Sequence, residues 1–257
     1  MQFELSSRTF SDDAVAIVGI SCRLPHAPDP ESFWRLLRDG RDAITEVPDG
    51  RWNSPETSSM RGGFVDGIAE FDAEFFGIAP NEAAMMDPQQ RLVLELSWEA
   101  LEDAGIVPES LRDTGTSVYI GAMAGDYAQL LQGKVSRHSL TGLSRALLAN
   151  RISYTLGLQG PSLTVDSAQS ASLTAVHLAC ESLRNGESGL AIVGGVNLNI
   201  TPDSTLAAAQ VRRPVPRRQV LHLRRARQRL RARRGAAGSS CSSRCPARSP
   251  TATGCTA

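Results

Sequence analysis

The sequence predicts an α/β layered fold, and three observations lead there. Short apolar runs rich in Val and Ile alternate with longer segments whose apolar residues recur at helical spacing. The clearest of those longer segments carry their own boundaries, Asp-Pro at the start and Gly just past the end. A chain of 257 residues with 41% hydrophobic content is also long enough to bury a sizeable core. No repeat of about 20 to 50 residues runs through it.

In order along the chain, "AVAIVGI" from Ala14 is a β-branched run predicted as a fully buried central strand. "DPESFWRLLRDG" predicts a helix with Asp29 as N-cap, Pro30 at its first position and Gly40 beyond its end. Phe33, Trp34, Leu36 and Leu37 form its apolar face. Residues 47–63 are polar with Pro, Gly and Ser, which predicts a loop. "GGFVDGIAEFDAEFFGI" follows as a short strand and an aromatic-rich excursion.

"DPQQRLVLELSWEALEDAG" predicts a second capped helix, with Asp87 as N-cap, Pro88 at its start and Gly105 at its stop. Leu92, Leu96 and Leu101 lie on one broad stripe with Val93 and Trp98 beside them. "TSVYIGAMAGDYAQLL" reads as strand and loop, "LSRALLANRISYTLGL" as helix and "PSLTVDS" as strand. "SASLTAVHLACESLRNG" is a helix ending at Gly186, and "GLAIVGGVNLNI" is a further buried strand.

Composition narrows the function. Formal charge is zero, yet all 27 acidic residues precede residue 211, and 13 arginines with no acid follow it. Cys22 and Cys180 sit in apolar patterns, as in a reduced cytoplasmic protein without a disulfide framework. No apolar run approaches the roughly 20 residues that cross a bilayer, and "MQFELSSRTFSDD" lacks a secretory apolar segment. There is no GxGxxG and no P-loop, so nucleotide binding has no support.

The chemistry concentrates in "VDSAQSASLTAVHLAC", the end of a strand, a tight turn and the start of a helix, with Gln169 at the tip. Such a turn presents its side chain beside unpaired helix N–H groups and the positive end of the dipole, which can hold a developing oxyanion. It is a usual seat for a Ser or Cys nucleophile. Gln hydrogen-bonds in both senses but does not attack a thioester. Ser167 and Ser170 flank the tip without a base to activate them. His177 is eight residues past Gln169, roughly 12 Å along a helix, and reads as an ordinary helix residue.

From about Asp13 to Gln210 the chain resembles the N-terminal half of a β-ketoacyl synthase domain of a modular type I polyketide synthase. The resemblance is carried by "VAIVGISCRLP", "FWRLLRDGRDAI", "GGFVDGIAEFDAEFFGIAPNEAAMMDPQQRLVLELSWEALEDAGI", "SVYIGAMAGDYA", "ANRISYTLGLQGPSLTVDSAQSASLTAVHLAC" and "LAIVGGVNL", in that order. It implies the thiolase-like layered fold of two similar α/β halves, a homodimer and a cytoplasmic location. It also implies partners in the acyl carrier protein and acyltransferase domains of the same synthase. No cofactor is implied on the domain itself, since substrates arrive on the phosphopantetheine arm of the carrier.

In extending members of that family a cysteine stands where this sequence has Gln169. The Gln form is similar to the ketosynthase-like domain of loading modules, which decarboxylates a malonyl or methylmalonyl thioester to the acetyl or propionyl starter. The resemblance therefore implies that catalysis centres on Gln169. Only about a dozen residues precede "AVAIVGI", which fits a first module with no upstream chain to dock. Two alternatives stay open: a condensing ketosynthase in which Gln169 is a lesion, and a non-catalytic partner similar to a chain-length factor. The MMDPQQRLVLELSWEALEDAGI stretch points to the modular type.

The implied organisation is a lead at 1–12, an incomplete synthase domain at 13–210 and an Arg-rich tail at 211–257, expected to be disordered. Taken literally, the tail suggests an arm for acidic surfaces or nucleic acid. A frameshift accounts for it better. Read one base later, codons for "VRRPVP" can encode Phe, Gly, Gly, Leu, Ser, Pro, and the shifted frame can continue as a ketosynthase-like sequence. The two histidines and the lysine that complete the site in the family's second half have no counterpart here. His222 is a product of the shifted tail and carries no role. Cys241 and Cys245 form a CxxxC spacing too sparse for a metal site. A chain truncated in this way is expected to be inactive.

Overall fold

The computed structural model describes residues 14–52, 60–123, 125–131, 133–203, 206 and 237–244. In chain order the elements are β1 (Val15–Arg23), α1 (Pro30–Arg38), β2 (Thr45–Glu46), β3 (Arg61–Gly62), α2 (Pro80–Ala83) and α3 (Pro88–Asp103). A 3-10 turn at Pro108–Leu111 precedes β4 (Ser117–Ala122), α4 (Tyr127–Leu130), α5 (Ser139–Leu143) and α6 (Leu147–Leu156). Then come β5 (Ser162–Val165), α7 (Ala171–Arg184), β6 (Leu190–Val196) and β7 (Ala237–Arg244).

Both capped helices form where their end signals put them. The Asp29 carboxylate accepts the Ser32 amide at 2.7 Å and the Asp87 carboxylate accepts the Gln89 amide at 2.8 Å. The residues just past them, Gly40 and Gly105, take the left-handed conformation at φ 63° and 64°.

The main sheet has the order β1-β7-β6-β4-β5. β4 lies parallel to both β5 and β6, and β7 is antiparallel to both β1 and β6. α3 and α6 cover one face and α7 the other. Alternation along the strands builds both layers. Val118, Ile120 and Ala122 of β4, with Ile192 and Val196 of β6, pack with Val93, Leu94, Leu96, Leu101, Leu148 and Ile152. Tyr119, Ala191 and Val193 point the opposite way, against Ala175, Ala179 and Leu183 of α7. The aromatic excursion after β3 packs Phe75 and Phe76 edge-on against Trp98 of α3.

Two expectations are corrected. β1 is an edge strand of this sheet, and the side chains of Ile17 and Ile20 are exposed, 66% and 46%. An apolar β-branched run registers that a strand needs cover, not which segment supplies it. α1 buries none of its residues, with Trp34 64% exposed. Its stripe is amphipathic as read, but no described element lies over it closely enough to bury it. The second concerns the tail. Ala237–Arg244 is not disordered but enters the sheet as β7, because a strand between β1 and β6 satisfies the backbone N–H and C=O groups along both. The rest of the tail, with His222 and Cys245, lies outside the described residues, as does the lead at 1–12.

Candidate functional site

The connection from β5 to α7 is the strand–turn–helix element read from the sequence. β5 ends at Val165, and Asp166 to Ser170 form the turn before α7 begins at Ala171. Ala168, immediately before Gln169, has φ 55°. For a residue with a Cβ this left-handed conformation costs about 1–2 kcal/mol, so neighbouring contacts have to hold it.

Those contacts are specific. The Asp166 carboxylate accepts the Ala168 amide at 3.0 Å, and the Ala168 carbonyl accepts the Ala171 amide at 3.1 Å. The Ala168 amide, and then the Arg145 guanidinium at 2.8 Å, hold the Asp166 carboxyl below the usual carboxylate range. The Ser170 hydroxyl donates to the Ser167 carbonyl at 2.8 Å, and the Ser167 and Thr174 hydroxyls share a hydrogen bond of 2.8 Å. Both serines are thus tied into the turn, and no histidine contacts them among the described residues. His177 stands exposed on α7.

Gln169 itself is exposed, and its amide has no hydrogen-bond partner among the described residues. It is free to donate to or accept from a bound molecule at the entrance to α7. Two glycines let that helix end sit directly on the sheet. A Cβ on Gly121 of β4 would come within 2.5 Å of the Ala171 and Ser172 backbone, and one on Gly195 of β6 within 2.5 Å of the Ser172 side chain. The helix terminus is therefore pinned over the C-terminal ends of β4 and β6.

The structure adds a residue that sequence reasoning missed. Arg145 lies in the short link between α5 and α6, within a stretch read as helix, and is 21 positions from Asp166, too far for any local pattern to relate them. Cys180 is half-buried in α7. Cys22 is buried in β1, where burial pushes its thiol up; both are free thiols. Among the described residues no group of three or more His, Cys, Asp or Glu side chains is placed to hold a metal ion. Among them, too, no helix is long and apolar enough to cross a membrane.

Comparison with known proteins is consistent across sequence and fold. Residues 12–226 match the family described as beta-ketoacyl synthase, N-terminal domain. Polyketide synthase GfsA of Streptomyces halstedii is 55% identical over 215 residues, covering 78% of this chain and 3% of that protein. Erythronolide synthase EryA2 of Saccharopolyspora erythraea is 48% identical over 210 residues, covering 76% and 6%. The chain thus spans a small part of the length of these relatives. Among solved structures, the ketosynthase from module 6 of the bacillaene synthase of Bacillus subtilis 168 superposes with a TM-score of 0.73 at 33% identity. That match covers 90% of this chain and 39% of the solved one.

Proposed function

The chain belongs to the β-ketoacyl synthase family, as an N-terminal ketosynthase domain of the modular polyketide synthase kind, and from this premise we propose that it derives from a loading-module decarboxylase. The carrying observation is Gln169, a neutral amide at the tip of a turn whose geometry suits a nucleophile. The proposed substrate is a malonyl or methylmalonyl thioester on the phosphopantetheine arm of an acyl carrier protein. The carrier and the acyltransferase domain of the same synthase are the partners, the complete domain is a homodimer, and the location is cytoplasmic.

Decarboxylation asks little of a nucleophile. The bond between the α-carbon and the carboxylate carbon breaks, its electron pair passes into the thioester enolate, CO2 leaves, and a proton then adds to the α-carbon. The catalyst must stabilise negative charge on the thioester oxygen and exclude water. The N–H groups at the start of α7 can supply the first need, and the Gln169 amide fills the space that an acyl-cysteine would take.

The organisation proposed is a lead at 1–12, synthase sequence at 13–210 and a frame-shifted tail. The place of β7 supports the last part. This slot lies between two other strands, where sheets carry apolar residues. "GSSCSS", Gly238 to Ser243, is small and polar. If its serines use TCN codons and a second one-base change lies between residues 211 and 238, the same bases read two places later give five successive codons of the forms NTC, NTC, NTG, YTC and NTC. Every choice of N and Y there encodes Phe, Leu, Ile, Val or Met.

The test has two parts. Resequencing the DNA across the codons for Gln210 and Val211, and across those for Gly235 to Gly238, should reveal the frame changes. The in-frame domain should then release CO2 from malonyl- or methylmalonyl-carrier protein, and Gln169→Ala should slow release about 10- to 100-fold. Condensation recovered by Gln169→Cys would instead favour a lesioned condensing enzyme. No decarboxylation by the in-frame domain alone would favour a non-catalytic partner.

A further inference from the structure

We propose that Arg145 is a positioning residue for the Gln169 turn, acting through Asp166. The inference rests on the reading of Gln169 as the centre of the site. Nη2 of Arg145 donates to the Ala122 carbonyl, the last residue of β4, at 2.7 Å and to Asp166 Oδ2 at 2.8 Å. The other carboxylate oxygen of Asp166, Oδ1, accepts the amide of Ala168 at 3.0 Å. One guanidinium therefore joins the end of a central strand to the first turn residue, and the carboxylate passes that constraint to the backbone directly before Gln169.

The arrangement restrains the part of the turn that is least stable alone. Ala168 holds its left-handed φ of 55° with its amide on Asp166 and its carbonyl on the Ala171 amide. The Ala171 contact belongs to α7, which Gly121 and Gly195 already seat on the sheet. The amide contact depends on where the Asp166 carboxylate points, and Arg145 sets that direction.

Arg145 is itself anchored. The buried Gln90 side-chain amide donates to the Gly142 carbonyl at 2.8 Å and the Ser144 carbonyl at 3.2 Å. Arg151 in turn donates to Gln90 Oε1 at 3.2 Å and to Glu82 at 2.7 Å. The link carrying Arg145 is thus fixed to the N-terminal turn of α3. Without Arg145, the exposed Asp166 carboxylate is free to rotate into solvent, and Ala168 can relax and carry Gln169 out of place.

Hydrogen exchange of the full chain, followed by mass spectrometry, tests this without any activity. In Arg145→Ala, a peptide spanning residues 162–171 is expected to exchange about two- to five-fold faster while one spanning 93–101 in α3 is unchanged, the scale set by a half-exposed ion pair. Arg145→Lys should restore at least half of the protection. On an Asp166→Asn background, Arg145→Ala should add nothing. Unchanged exchange at the turn overturns the proposal, as does equal acceleration in both peptides or full additivity with Asp166→Asn. Absence of decarboxylation by the in-frame domain would overturn the reading of Gln169 and leave the exchange result standing.

Discussion

Asp29 and Asp87 occupy the same position in the same motif, each before a proline and each capping a helix, yet their acidities move in opposite directions. Asp29 is at the surface, and its hydrogen bonds from Ser32 hold its carboxyl below the usual range. The stability it contributes is present above the ordinary Asp pKa and is lost as pH falls through the lowered folded value. Asp87 is buried, and desolvation raises its carboxyl despite the Gln89 amide, the Gln89 side chain and Arg91, all of which favour the charged form. Below the unfolded pKa both states are protonated and nothing is lost. As pH rises through the unfolded and then the raised folded value, ionisation works against the folded state.

Two outcomes are expected at this residue, read by hydrogen exchange of the α3 peptide. Asp87→Ala loses the cap, about 1 kcal/mol, and should exchange roughly five-fold faster. Asp87→Asn keeps a capping oxygen without the buried charge. Its protection relative to the parent should rise between pH 4 and 7. A ratio that does not change with pH would mean that the buried charge costs nothing. The sequence marks both aspartates as caps, but not which one is buried, because that depends on what α5 and the link after β4 place over it.

Capping and periodicity located the elements well because they are local. Both Asp-Pro helices, the turn at 166–170 and strands β4 to β6 are where the residues predict. Burial was less legible. α1 has a good apolar stripe and buries nothing, so Trp34→Gln and Leu37→Gln should leave exchange of α3 unchanged and raise soluble yield. Gly121 has the opposite character. A Cβ there meets helix backbone at 2.5 Å, so Gly121→Ala should displace the start of α7 and cost about 1–3 kcal/mol, seen as faster exchange across 162–175. Unaltered exchange in that peptide would show that α7 can shift without loss. No feature of the sequence marks Gly121 as a contact with α7, since the two segments meet only when α7 packs onto the sheet.

For the molecule as a whole, the exposed apolar side chains fall on particular elements. Ile17, Val18 and Ile20 of β1, Trp34 and Leu37 of α1, and Leu173 and Val176 of α7 all face outward. Each of these apolar faces is left uncovered by the described elements. The chain as written is expected to bind 8-anilinonaphthalene-1-sulfonate, to be retained by chaperones and to melt without a sharp transition. The in-frame domain should lose the dye signal and melt cooperatively. A sharp melt of the 257-residue chain would show that its core is sufficient by itself.

The residues alone determined the α/β class, the capped helices, the turn with Gln169 at its tip and the change of character after residue 210. Each of these depends on spacing within a dozen or so positions, or on residue type at one position. Only the tertiary structure decided that β1 is an edge strand, that 237–244 fills the gap beside it, and that Arg145 reaches Asp166. Those facts depend on which distant segments become neighbours, and pairing between strands and across layers leaves no periodic trace in either segment read singly.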